Sequence, residues 1–232
     1  MRSQGYKSMK DATTINMDEL TFLIVGKTGN GKSSLANLIL GESKFQVSTS
    51  MTSETTQMSE AMGVVNGEQI KIVDTPDPVN LDLSKTEISA EVARWKSHAV
   101  GKFAILLAVR CDVRYTAEEY DIYKKIKIAW GDNSFTNHLV VVFTFGDRQD
   151  RNIHEELKTV CLELRSVLAD AGNRYVIFNN RAHDSESEKQ KLMEYARAPV
   201  VPPPSSNLIN KPVLLIIFVL IILIIALWLA LR

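Results

Sequence analysis

The chain has 232 residues, and its 27 Lys+Arg are balanced by 27 Asp+Glu, for a formal net charge of zero. That length holds one ordinary α/β domain with residues to spare, and the balance argues against a nucleic-acid-binding protein, which would carry a basic excess. The two cysteines, Cys111 and Cys161, sit in apolar surroundings without CxxC spacing, which argues against zinc or a disulfide framework and fits a reducing cytosol.

Residues 1–18 are polar, have no apolar core of a secretory signal and carry Arg2 where N-myristoylation needs glycine. They read as a flexible lead-in. The apolar run Leu20–Val25 predicts a buried strand. After Gly-rich GKTGNG, the spacing of KSSLANLIL predicts a helix that stops at Gly41. A Ser/Thr-rich loop follows. Two short strands flank Asn66-Gly67, a hairpin turn signal. A helix is expected over 83–98, a buried strand over 103–109, a helix over 116–130 and a strand over 138–143. One long amphipathic helix is expected over 153–169, then a short strand at YVIF and a last helix over 186–197. Strands alternating with helices predict an α/β fold. Its sheet should be mostly parallel and six-stranded, with helices on both faces and one antiparallel hairpin partner.

Residues 19–197 form the expected domain. Residues 198–211 contain Pro202-Pro203-Pro204 and read as an extended spacer. Val213–Leu231 is an unbroken apolar run without Gly, Pro or charge. As a helix it would be roughly 28 Å long, close to the hydrocarbon thickness of a bilayer. A core helix of that length would normally show a polar face. Residues 212–232 are therefore expected to be a transmembrane tail anchor, with the preceding domain on the cytosolic face.

Gly26–Ser33, GKTGNGKS, matches G-x-x-x-x-G-K-[ST] between a strand and a helix, the context a phosphate-binding loop requires. A Gly-rich turn without a ligand is the bland alternative. In the phosphate reading, backbone N–H groups of Gly26, Lys27, Thr28, Gly29, Asn30 and Gly31 wrap the phosphates. Lys32 reaches the β- and γ-phosphates, and Ser33 ligates Mg²⁺. Asp74 closes a predicted strand and is placed to hold the Mg²⁺ shell. A threonine of the Ser/Thr-rich loop is expected to sense the γ-phosphate, and spacing does not choose among Thr49, Thr52, Thr55 and Thr56.

Thr144-Phe145-Gly146-Asp147 reads as a variant of the Asn-Lys-x-Asp base box, with Thr144 at the Asn position. Asp147 can accept from guanine N1–H and N2–H₂, which adenine does not offer. Asn179 and Asn180 follow the last strand, where a second contact to the guanine ring is expected. The competing reading is an ATP-using P-loop enzyme, which would not need Asp147.

With these residues in order, the chain resembles the GIMAP/IAN family of immunity-associated GTPases, whose G domain is of the AIG type. The resemblance rests on GKTGNGKSSLANLILG, Ser53-Glu54-Thr55, VDTPD, VRYTAEEY (113–120), Thr144–Asp147 and FNNR. It implies GTP/GDP and Mg²⁺ as ligands, with Ser34 inside the matched loop, and association of G domains across their nucleotide faces. It selects Thr55 as the first-switch threonine, with a metal and catalytic role. It makes Arg114 a candidate for partner-assisted hydrolysis. The alternative for Arg114 is a local pair with Glu118 or Glu119.

The departures are specific. Most family members read DTPG, and this chain reads DTPD. The backbone N–H of Asp77 is still expected to reach the γ-phosphate, with its carboxylate either pointing away or repelled. Pro78 stands where many GTPases carry a water-orienting Gln and has no N–H. The expected function is a membrane-anchored GTP-dependent switch or scaffold with slow intrinsic hydrolysis; the alternative is a scaffold that does not hydrolyse. The endoplasmic reticulum is the expected membrane, ahead of the mitochondrial surface or a lipid droplet.

Overall fold

The computed structural model describes residues 19–47, 55, 57–79, 83–131, 133–148, 152–179 and 185–198. Asn180, Thr49, Thr52, Thr56, all but the first residue of the spacer, and the expected membrane span lie outside them. Among the described residues no helix is long and apolar enough to cross a membrane.

Six strands form one sheet in the order β2-β3-β1-β4-β5-β6. They are β1 (Leu20–Val25), β2 (Ser59–Val65), β3 (Glu68–Asp74), β4 (Lys102–Arg110), β5 (Leu139–Thr144) and β6 (Tyr175–Ile177). All neighbours pair in parallel except β2, which runs antiparallel to β3 through the Asn66-Gly67 hairpin. β1 is central, with Ile24 opposite both Asp74 and Leu106. Its C-terminal end therefore opens between the ends of β3 and β4, and the loop that follows is held from both sides.

The central strands are apolar without alternation because helices cover both faces. Phe22 and Ile24 face a core completed by α1 (Lys32–Leu40) and α7 (Glu186–Arg197), through Leu35, Ile39, Leu192 and Met193. Leu23 and Val25 face a second core. It is closed by α2 (Lys85–Lys96), α3 (Ala117–Trp130), the short α4 (Ser134–His138) and α6 (Leu162–Asp170). Each fully buried aliphatic side chain contributes roughly 1.5–3 kcal/mol relative to exposure, so two such layers dominate local helix propensity. α2 and α3 each start with a complete capping box, Ser84 with Glu87 and Thr116 with Glu119.

The long helix expected over 153–169 is broken. A short α5 (Ile153–Glu156) passes into a 3₁₀ turn at Leu157–Thr159, Val160 and Cys161 are extended, and only then does α6 begin. The break falls at Thr159-Val160-Cys161, residues of modest helix propensity, two of them β-branched. Leu157 and Val160 still pack against the second core, so tertiary burial is kept while helical periodicity is given up.

α7 is held by a buried arginine. Arg174 donates to the carbonyls of Ala171 (3.2 Å), Tyr195 (3.3 Å), Ala198 (3.4 Å), Asn137 (2.6 Å) and Leu139 (2.7 Å). Burial pulls its pKa down to about 10. This one side chain ties the end of α7 to the starts of β5 and β6.

Candidate functional site

The loop between β1 and α1 folds back on itself. Gly26 has φ +137°, and a Cβ there would lie 2.7 Å from the Ala108 carbonyl oxygen of β4. No other residue fits this close approach. Lys32, the first residue of α1, is buried, and its Nζ donates to the carbonyls of Gly26 (2.9 Å) and Lys27 (3.2 Å). Burial lowers its pKa, and the carboxylates of Asp74 and Asp77 act in the opposite direction. A buried cation thus lies inside the loop at the N-terminus of α1, the place where a strand–loop–helix of this kind binds phosphates. Ser34 is half-buried in the first turn of α1.

Ser33, Asp74 and Thr55 converge at one corner of this loop. Ser33 Oγ donates to Asp74 Oδ2 at 2.6 Å and lies 3.5 Å from Thr55 Oγ1. Asp74 is 1% exposed, and its Oδ1 is buried without a hydrogen-bond partner among the described residues. Burial pushes its carboxyl above the usual range, opposed by the Ser33 hydrogen bond and by Lys32. A buried carboxylate oxygen left unsatisfied is costly unless something neutralises it. A hard divalent cation with hydroxyl and phosphate oxygens fits this donor set.

Asp77 departs from expectation. Its carboxylate does not point away: Oδ2 accepts from the Thr28 N–H at 2.8 Å, and Oδ1 accepts from the Val79 N–H at 3.0 Å. The residue is 3% exposed. The preceding Thr75 anchors the segment, its hydroxyl donating to the Ile24 carbonyl at 2.8 Å.

The start of α3 grips the same loop, an arrangement that no motif in the sequence reveals. Asn30 Nδ2 donates to the Ala108 carbonyl and to Glu119 Oε1, each at 2.9 Å. The other Glu119 oxygen caps α3 by accepting from the Thr116 N–H and hydroxyl, both at 2.9 Å. Lys27 forms an ion pair with Glu118. Asn30 therefore holds the loop through its side chain and also through its backbone, whose N–H donates to the Lys27 carbonyl at 3.2 Å. Both glutamates are engaged elsewhere, so the local pair considered for Arg114 does not form. Arg114 is exposed and its guanidinium is unpaired among the described residues. It borders an open cleft of about 760 Å³ with Tyr115, Cys111 and Cys161.

On the other side, Thr144 is buried, and its hydroxyl donates to the carbonyls of Asn30 (2.9 Å) and, at longer range, Val109 (3.3 Å). It positions the loop. Phe145, at φ +61°, lays its ring against Gly31, and the guanidiniums of Arg110 (4.6 Å) and Arg148 (4.5 Å) approach the same ring. Asp112 binds Arg110 through two hydrogen bonds of 2.9 and 2.7 Å. Asp147 and Asn179 are both exposed and come together around Gly146. The Gly146 N–H donates to the Phe178 carbonyl at 3.0 Å, and a Cβ on Gly146 would meet Asn179 Oδ1 at 2.5 Å. The two described candidates for base recognition thus lie close together, beyond the ends of β5 and β6.

The profile of the AIG1 family matches residues 20–198. Immune-associated nucleotide-binding protein 9 of Arabidopsis thaliana is 32% identical over 180 residues, covering 75% of this chain and 52% of its own length. The chain thus spans about half the length of such relatives. Among solved structures, Toc33 from Arabidopsis thaliana in complex with GDP and Mg²⁺ is 17% identical with a TM-score of 0.53, covering 77% of this chain and 84% of that one. A structure of the chloroplast translocon components atToc33 and psToc159, for which dimerization is described as important for GTPase activity, is 20% identical. It has a TM-score of 0.59 and covers 80% of this chain and 87% of that one. At these identities the structural likeness concerns the fold.

Proposed function

Because this chain belongs to the AIG1 family, we propose that it is a guanine-nucleotide-binding switch or scaffold, tethered to an intracellular membrane by Val213–Leu231. The observation that carries this reading is the convergence of Ser33 and Thr55 on Asp74, whose inner oxygen is unpartnered among the described residues, beside the phosphate loop Gly26–Ser33. Ser33 and Thr55 would hold Mg²⁺ and Asp74 would support its shell. The ion supplies charge neutralisation between the phosphates. Lys32 and the loop N–H groups bind the phosphates, Asp147 and Asn179 read the base edge, and Asn180 adds to it. Relatives named as immune-associated nucleotide-binding proteins and the Mg²⁺–GDP complex of a similarly folded protein support this ligand class.

GTP is hydrolysed slowly by the isolated domain. Pro78 offers neither a side chain nor an N–H to orient water, and the missing charge stabilisation comes from Arg114 of a second G domain. Association across the nucleotide faces is supported by the dimerization stated for the Toc proteins. A membrane tether concentrates partners without any new contact. The endoplasmic reticulum is the favoured site. The second reading, a scaffold that binds GTP without turnover, is favoured by Pro78 alone.

Two measurements test this. Competition against fluorescent mant-GDP should show displacement by GTP and not by ATP; equal displacement by ATP would make the base assignment wrong. Turnover by the full chain should rise with its density on liposomes. Negligible turnover at high density would leave the scaffold reading.

A further inference from the structure

We propose that the Asp77 carboxylate is a built-in competitor for the γ-phosphate, so that the pocket favours a nucleoside diphosphate and admits a triphosphate only when the segment 75–79 swings out. This rests on the nucleotide-binding reading above and concerns which nucleotide that site prefers.

The geometry is that of an anion already seated in the loop. Asp77 Oδ2 takes the Thr28 N–H at 2.8 Å, and the residue is almost fully enclosed. Its charge also acts on the buried ammonium of Lys32, the group that serves the β- and γ-phosphates. An outer phosphate would need the same N–H and the same cation. Two negative groups at that distance repel unless one leaves or is protonated. The α- and β-phosphates sit further in, over the N-terminus of α1, and do not need the Thr28 N–H.

The segment is built to hold this conformation. Asp77 Oδ1 closes a turn onto the Val79 N–H at 3.0 Å, skipping Pro78, which has no N–H to give. Thr75 ties the other end to β1 through its hydroxyl and its N–H, both directed at the Ile24 carbonyl. A triphosphate must therefore break the bonds of both Asp77 oxygens. A glycine at this position would impose no such requirement. Asp77 is in this sense a specificity-determining residue, and it acts by charge rather than by shape.

The test uses the full chain in detergent with Mg²⁺, titrated with mant-GDP and with the non-hydrolysable mant-GppNHp. Wild type should bind the diphosphate more tightly. In Asp77→Gly the ratio of triphosphate to diphosphate Kd should fall about tenfold, the scale of removing one close like charge, with most of the change in the mant-GppNHp Kd. Asp77→Asn, close in shape but neutral, should move the same way, and it carries the test if the glycine variant misfolds. A ratio unchanged or raised in both variants, with mant-GDP binding intact, overturns the inference, as does a wild type that prefers the triphosphate. Failure of wild type to bind mant-GDP at all would instead overturn the nucleotide reading itself.

Discussion

The Asn30 amide donates to the Glu119 carboxylate at 2.9 Å, joining the phosphate loop to the capping box of α3 across 89 residues of sequence. The same amide reaches the Ala108 carbonyl on β4. One side chain therefore couples loop, sheet and helix, and Glu119 both caps its own helix and braces the loop.

Replacing Asn30 by Ala removes two buried hydrogen bonds and strands their acceptors. The expected cost is about 1–3 kcal/mol, or several degrees of melting temperature for a domain of this size. Melts followed by circular dichroism without nucleotide check the stability. Mant-GDP titration should show weakened binding as well, since the loop loses its brace.

Gly146→Ala should injure binding more than folding. Its Cβ would approach Asn179 Oδ1 at 2.5 Å and Ile177 Cγ2 at 2.8 Å, wedging apart the loops after β5 and β6. Overpacking of this kind costs about 1–3 kcal/mol. The strain falls on Asn179 and on the residue next to Asp147, so guanine nucleotide affinity should drop at least tenfold while the melt remains cooperative.

Arg114→Ala should leave stability and single-domain nucleotide affinity unchanged, because the guanidinium is exposed and unpaired among the described residues. Turnover at low density should also be unchanged. The acceleration seen at high density on liposomes should be lost, and mixing with wild-type chain should restore part of it.

Arg174→Lys keeps the charge but cannot reach five carbonyls directed at a planar guanidinium. We expect a loss of about 2–4 kcal/mol, and more for Arg174→Ala, because buried acceptors are left unpaired. Urea denaturation measures the loss. α7 should be the first element to lose amide protection in hydrogen exchange.

The two thiols should separate in reaction with DTNB. Cys161 is exposed, and its reaction should be fast. Cys111 is half-buried and donates to the Thr144 carbonyl at 3.0 Å, and burial pushes its pKa up to about 11. At pH 8 roughly one Cys111 in a thousand is thiolate. Its slow phase should persist in Cys161→Ser and should quicken as pH rises toward 11, provided the fold is intact.

Much of this site is legible in the amino-acid sequence. The phosphate loop is a contiguous motif whose meaning depends only on a strand on one side of it and a helix on the other. The hairpin at Asn66-Gly67 and the helix stop at Gly41 are likewise local. Asp74 is legible because a strand end beside the loop constrains where its side chain goes. The expected helix over 153–169 fails because apolar spacing does not reveal that Val160 and Cys161 take extended backbone while Val160 packs against the second core.

Short-range periodicity and contiguous motifs suffice to specify the family, the order of the strands and of most helices, and the loop Gly26–Ser33 with Asp74 beside it. Three-dimensional packing was needed to fix the direction of a side chain wherever several were sterically open. It turned the Asp77 carboxylate into the loop instead of away from it. It set Glu118 and Glu119 against Lys27 and Asn30, leaving Arg114 exposed. Thr144 went to the backbone, and Phe145 lay over Gly31. Each of these is a contact between segments distant in the chain, fixed by where the sheet places the ends of β1, β3, β4 and β5, and no local pattern records it.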